Sequence, residues 1–256
     1  MSIKHFILFS GVYLSVMFGT NVHAANLFVP AYFHPSKQPV YWSHLAEAAQ
    51  AVSTTVIFNP HNGPGANVDP SFVNAINRVR EAGGKIIAYV HSSYGSRQID
   101  SIFRDIDSYI AFYAIDGFFI DEMAADGTDE NIRYYEAIYN YIKDKSTHYS
   151  VTGHPGVVPD EVYLSKPVVD NLVVFESSVR SYVYFQPEQW QHNYSKNRFI
   201  HIVYSASLEQ MKQAFSEADK NHVGNLYITD DRLPNPYDSL PEYGGEELEM
   251  SIITPK

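Results

Sequence analysis

Short runs of β-branched and aromatic residues, each closing in a polar side chain or a Gly/Pro turn, recur eight times along the chain. They span Leu27 to Phe33, Thr54 to Asn59, Lys85 to Val90, Gly117 to Asp121, Tyr149 to Gly153, Leu172 to Glu176, Phe199 to Tyr204 and Asn225 to Thr229. Cores such as Thr55-Val56-Ile57-Phe58 and Leu172-Val173-Val174-Phe175 are apolar without alternation. Parallel strands covered on both faces have that pattern, because neither face meets water.

Between the runs lie stretches with helical spacing: Tyr41 to Val52, Pro70 to Ala82, Ile99 to Tyr113, Asn131 to Lys145 and Leu208 to Asn221. Asp69-Pro70 reads as an N-cap followed by proline in the first turn, and Gly83-Gly84 ends that helix before the next strand. After the fifth and sixth strands only short helices are expected, within Pro159 to Pro167 and Gln186 to Tyr194. Alternation of strand and helix over eight units predicts a single-domain (β/α)8 TIM barrel, with an open doubly wound sheet as the competing arrangement. Reactive side chains gather at the C-terminal ends of nearly all the runs, which favours the barrel, whose active sites lie on that rim.

The first 24 residues stand apart. Lys4 precedes a mostly apolar stretch from Phe6 to Phe18, and Val22-His23-Ala24 fits a small-residue cleavage site, so residues 1–24 read as a signal peptide and 25–256 as the mature domain. The apolar stretch is short for a membrane span, so a secreted or periplasmic protein without stable membrane insertion is expected. There is no cysteine, which removes disulfides, thiolate catalysis and thiolate zinc sites. A formal charge of −11 without a basic patch argues against nucleic acid as a partner. The acidic tail from Glu242 to Glu249 reads as a solvated terminus.

Asp116-Gly117-Phe118-Phe119-Ile120-Asp121-Glu122 is an apolar strand that stops in two adjacent carboxylates. Neighbouring strand side chains point oppositely, so Asp121 and Glu122 are expected to differ in role. Leu172-Val173-Val174-Phe175-Glu176 places a third acid two strands further round the same rim. Two carboxyl groups facing across a cleft can hydrolyse a glycosidic bond without a cofactor: one protonates the leaving oxygen while the other attacks the anomeric carbon or activates water. The sugar-contacting shell is assigned to Tyr32, Asn59, Tyr89, His91, His154, Tyr204 and Asp230, each at or near a strand end. Asn59-Pro60-His61-Asn62-Gly63-Pro64-Gly65 is expected to form a structured rim loop, and it lacks the Lys-Ser/Thr ending of a phosphate loop. His91, His154, Asp121, Asp230 and Asp231 can be assembled on paper into a metal site, but their spacing matches no common metal motif, and no metal or other cofactor is expected.

Pro30-Ala31-Tyr32-Phe33-His34-Pro35, Asn59-Pro60 through Gly63-Pro64-Gly65, Gly84-Lys85-Ile86-Ile87-Ala88-Tyr89-Val90 and Gly117-Phe118-Phe119-Ile120-Asp121-Glu122 together resemble the spherulin-4 family, over roughly Leu27 to Thr229. The resemblance implies a (β/α)8 glycoside hydrolase similar to fungal enzymes that cut α-1,4-linked galactosamine-containing exopolysaccharide of biofilm matrices. It places the three acidic active-site positions on Asp121, Glu122 and Glu176, with Asp121 as nucleophile, Glu176 as acid/base and Glu122 orienting or binding substrate in a retaining mechanism. The chain departs from the fungal pattern at Thr152-Gly153-His154-Pro155-Gly156, where Asn rather than His is expected before Pro-Gly. A monomer acting on an amino-sugar polymer is the resulting expectation. Its competitors are a non-catalytic carbohydrate-binding barrel and a metal-dependent polysaccharide deacetylase.

Overall fold

A computed structural model describes residues 25–245; the leader at 1–24 and the tail beyond 245 lie outside the described residues. Eight strands close into a parallel barrel in sequence order: β1 (Asn26–Ala31), β2 (Thr54–Phe58), β3 (Lys85–His91), β4 (Gly117–Asp121), β5 (Ser150–Gly153), β6 (Asn171–Ser178), β7 (Phe199–Tyr204) and β8 (Asn225–Ile228). Pairing of β1 with β8 through Asn26 and Asn225 seals the ring and rules out the open sheet.

The outer layer is formed by α1 (Pro39–Ala51), α2 (Pro70–Glu81), α3 (Ile99–Phe112), α4 (Asp129–Lys145), the single turns α5 (Val162–Ser165) and α6 (Val179–Tyr182), two 3-10 turns at Gln189–Asn193 and Lys196–Arg198, and α7 (Leu208–Ser216). Local signals explain the long helices. Asp69 caps α2 by accepting from the Ser71 N–H at 2.8 Å, and Phe72, Ala75, Ile76 and Val79 recur at helical spacing to form its buried stripe. Thr128 caps α4, whose first turn carries Asp129 and Glu130 and whose last carries Lys143 and Lys145, matching the helix dipole at both ends. No helix among the described residues is long and apolar enough to cross a membrane.

Most element ends fall within one or two residues of the sequence reading, and three departures go beyond such end shifts. The expected helix to Asn221 stops at Ser216, because the chain tightens into shorter-range bonds such as Ala218 N–H to Phe215 O and His222 turns into the left-handed region at φ +50. The turn α6 lies in a stretch for which no helix was expected. The sixth strand runs on to Ser178 and carries an irregularity, with Val174 interposed between the registers of Val173 with Ile200 and Phe175 with His201.

Alternation across the barrel wall sorts each strand's side chains. Phe118 packs outward on Tyr109 and Tyr149, while Phe119 points inward to Phe28, Tyr89 and His154. The interior is therefore an aromatic plug, and the polar strand ends stand above it. Gly117 is required at the base of β4: a Cβ there would lie 2.3 Å from the Ser150 carbonyl oxygen of the adjoining strand.

Candidate active site

Three side chains from three successive strands meet at the C-terminal mouth. His154, just past the end of β5, places Nδ1 2.6 Å from Asp121 Oδ1 of β4 and Nε2 2.7 Å from Glu176 Oε2 of β6. The Asp121 contact is a hydrogen bond; the Glu176 contact is a close charge pair without an aligned N–H. Backbone bonds fix this arrangement. His154 N–H donates to Ile120 O at 2.9 Å, Met123 N–H donates to His154 O at 3.0 Å, and Glu176 N–H donates to Gly156 O at 3.1 Å, so the barrel ladder continues past the strand ends.

Tyrosines flank each carboxylate. Tyr89 from β3 lies beside Asp121 and favours its ionised form, and Tyr237, in the loop after β8, donates its hydroxyl to Glu176 Oε1. Tyr32 stands edge-on to both phenol rings at 5.8 Å, and its N–H donates to the Tyr237 carbonyl at 3.1 Å. His154 rests on Phe119, with ring centroids 5.0 Å apart.

The site is largely closed to solvent: side-chain exposure is 10% for His154, 20% for Asp121 and 25% for Glu176. Burial disfavours the charged imidazole, yet hydrogen bonding and charge from Asp121 and Glu176 outweigh it and push His154 up to about 10. Reciprocally, burial opposes ionisation of both acids, but the imidazolium, helped by Tyr89 on Asp121 and Tyr237 on Glu176, holds both carboxyls below their usual range. Burial beside these anions drives Tyr32, Tyr89 and Tyr237 upward, so all three remain hydrogen-bond donors.

Glu122 occupies a different place from Asp121, as opposed strand directions require. Its backbone is left-handed at φ +50, and its carbonyl accepts from Ser92 Oγ at 2.8 Å and from the Tyr94 N–H at 2.6 Å. Ser92 is fully buried and also contacts the Tyr135 hydroxyl at 3.0 Å, which in turn accepts from the Ala124 N–H at 2.8 Å. This network between β3 and α4 holds the strained corner that aims Asp121.

The remaining sequence-assigned residues stand around this centre rather than in it. Asn59 turns its carbonyl oxygen onto the Gly63 N–H at 3.1 Å and so braces its own loop. His91 ends β3 in register with Asp121; its carbonyl accepts from Arg97 at 3.0 Å and its Nδ1 is buried without a hydrogen-bond partner. Tyr204 ends β7 within the electrostatic reach of Tyr237. Asp230 accepts from the Glu242 N–H at 3.2 Å, tying down the C-terminal segment. Among the described residues no group of three or more His, Asp and Glu side chains is placed to hold a metal ion.

Tyr237 is the functional-site residue that strand-end reasoning missed. Its local sequence, Asn235-Pro236-Tyr237, is a turn signal beyond the last strand, and only closure of the barrel brings that loop over Glu176.

Comparison with known proteins places these features in a family. The model of the spherulation-specific family 4 matches residues 26–250. Spherulin-4 of Physarum polycephalum is 31% identical over 240 residues, spanning 89% of this chain and 70% of that protein. The crystal structure of Aspergillus clavatus Sph3 in complex with GalNAc superposes with a TM-score of 0.80 at 21% identity, over 91% of this chain and 99% of the other. The GH18 chitinase ChiB of Flavobacterium johnsoniae shares the fold more distantly, with a TM-score of 0.55 at 11% identity over 90% and 94% of the two chains.

Proposed function

Because the chain belongs to the spherulation-specific family 4, we propose that it is a glycoside hydrolase acting on N-acetylgalactosamine- or galactosamine-containing α-1,4-linked polysaccharide. The observation that carries the reading is the pair of mostly buried carboxylates, Asp121 and Glu176, brought from β4 and β6 to one barrel mouth and linked through His154. A sugar-binding likeness adds support, since the similar Sph3 was crystallised with GalNAc.

In this reading Asp121, ionised and aimed by the Glu122 corner, attacks the anomeric carbon. Glu176, oriented by Tyr237, protonates the leaving oxygen and later takes a proton from the incoming water, with retention of configuration. That route brings the two carboxyls to about 5 to 5.5 Å across the sugar, against roughly 6.5 to 9.5 Å for inversion. The reading gives Tyr32, Tyr89, His91, Tyr204 and Asp230 a sugar-contacting role and Glu122 a role in orienting or binding substrate, on the strength of their places at strand ends. The net charge of −11 favours accumulation of a polymer with free, cationic amines. Export is part of the reading and rests on the leader pattern alone.

The test is release of reducing ends from purified α-1,4-linked galactosamine/N-acetylgalactosamine polymer in the presence of EDTA, comparing wild type with Asp121→Asn and Glu176→Gln. Metal-independent activity lost by about 100-fold or more in both variants supports the assignment. A silent wild-type protein sinks the substrate, activity abolished by EDTA favours a deacetylase, and full activity in both variants removes the site. Proton NMR of the first anomer released reads the stereochemistry.

A further inference from the structure

Acid/base cleavage needs one carboxyl ionised and the other protonated at the same moment. In the free protein Asp121 and Glu176 share one cation, and the imidazole between them is the group in contact with both. The phenols beside them, Tyr89 and Tyr237, are driven upward by burial and neighbouring negative charge, and a proton given up by either would leave a buried phenolate in place of the carboxylate, whereas a proton passed from an imidazolium to a carboxylate leaves two neutral groups. The proton that Glu176 must deliver therefore has to come from elsewhere in the cluster.

We propose, resting on the glycosidase reading above, that His154 stores the catalytic proton: its Nε2 proton passes to Glu176 Oε2 when a glycosidic oxygen enters the site. In that step the Nε2–H bond breaks as an O–H bond forms on Glu176. The imidazole becomes neutral and keeps its Nδ1–H bond to Asp121, which stays ionised for attack. Glu176 then gives the proton to the leaving oxygen. When water resolves the glycosyl intermediate, Glu176 accepts a proton and returns it to Nε2, restoring the starting state. His154 acts through Glu176 and is thus a positioning and proton-holding residue.

The geometry provides for the transfer. The Nε2 to Oε2 separation of 2.7 Å is within hydrogen-bond reach, and because the N–H is off-line in the free protein, a small rotation of the imidazole or carboxylate switches the path on. Gly156 borders the pair without crowding it: even a Cβ there would stand at ordinary contact distance, 3.8 Å from His154 Nε2 and 3.9 Å from Glu176 Oε2. The titratable groups around His154 are Tyr32 just past β1, Tyr89 of β3, Asp121 at the end of β4 with Glu122 just past it, Glu176 of β6 and Tyr237 after β8, with Arg97 acting on Tyr89 from the β3 side. Arg97 is itself paired with Asp105 at 2.6 Å, which leaves His154 as the cation that touches both acids. Those anions hold the imidazole charged up to about pH 10, so the store stays filled at neutral pH.

The inference is tested by the pH dependence of kcat/KM for wild type and His154→Asn, together with ring-nitrogen NMR of histidine-labelled protein, in which the His154 signal is assigned by its loss in the variant. The wild-type basic limb should lie far into the alkaline range, and His154 should read as a cation at neutral pH. In His154→Asn, Glu176 must hold its own proton, so the basic limb falls by about two pH units or more toward the carboxyl range. An unshifted limb, or a neutral His154 ring at neutral pH in wild type, overturns the proposal. The NMR arm decides even if the polymer is not cleaved or the variant is inactive. Retained activity in Asp121→Asn and Glu176→Gln would instead refute the underlying site, whatever His154 does.

Discussion

Removing the Tyr237 hydroxyl tests whether the loop after β8 is part of the site. Tyr237 is 8% exposed and donates to Glu176 Oε1, whose side chain is 25% exposed. A hydrogen bond to a charged group contributes about 1.5 to 3 kcal/mol, and a carboxylate with this exposure recovers part of that from water, leaving a cost of about 1 to 2 kcal/mol for Tyr237→Phe. In a domain of this size, that lowers Tm by roughly 2 to 8 °C.

The loss should depend on pH in a definite direction. The folded pKa of Glu176 is depressed, so its hydrogen bonds stabilise the protein above the unfolded value, near 4.5, and that contribution fades as pH falls through the folded value. The wild-type and Tyr237→Phe urea midpoints should differ fully at about pH 7, and the gap should shrink as pH falls below the ordinary glutamate range. Activity should also fall, because Glu176 loses its orienting partner. An equal gap at both pH values, or none at either, would show that the hydroxyl does not act on the ionised carboxylate, and the loop would lose its place in the site.

Two further substitutions test the scaffold. Gly117→Ala forces a Cβ to within 2.3 Å of the Ser150 carbonyl oxygen, against backbone that cannot yield, so a loss of about 3 kcal/mol or more in urea unfolding is expected; wild-type stability would contradict the β4–β5 register. Glu122→Gly removes the cost of a left-handed non-glycine at φ +50 and should stabilise by up to about 1 kcal/mol after the greater unfolded-state entropy of glycine is counted. A thermal melt that shows marked destabilisation instead would mean that the Glu122 side chain is itself holding the corner.

The order of elements was legible in the chain because each is dictated locally. Unbroken apolar runs such as Thr55 to Phe58 can bury both faces only in a covered parallel sheet, and Asp69-Pro70 with Gly83-Gly84 marks the limits of α2 whatever surrounds it. Asp121 and Glu176 were legible for the same reason: an acid at the end of a buried strand has nowhere to go but the rim. Three features were not local. The irregularity at Val174 in β6 arises from pairing with β7, a partner that the run Leu172 to Glu176 does not specify. Tyr237 meets Glu176 across 61 positions of sequence, and only closure of β8 onto β1 carries its loop over the mouth. The bridging role of His154 depends on strand spacing: one imidazole reaches two carboxylates because β4, β5 and β6 are neighbours, and it stays charged because their hydrogen bonding and negative charge outweigh the cost of its burial. Sequence by itself determined the eight strands, the long helices and the position of the two acids along their strands, whereas the tertiary structure decided which groups face those acids, since contact and dielectric exist only once the barrel has closed.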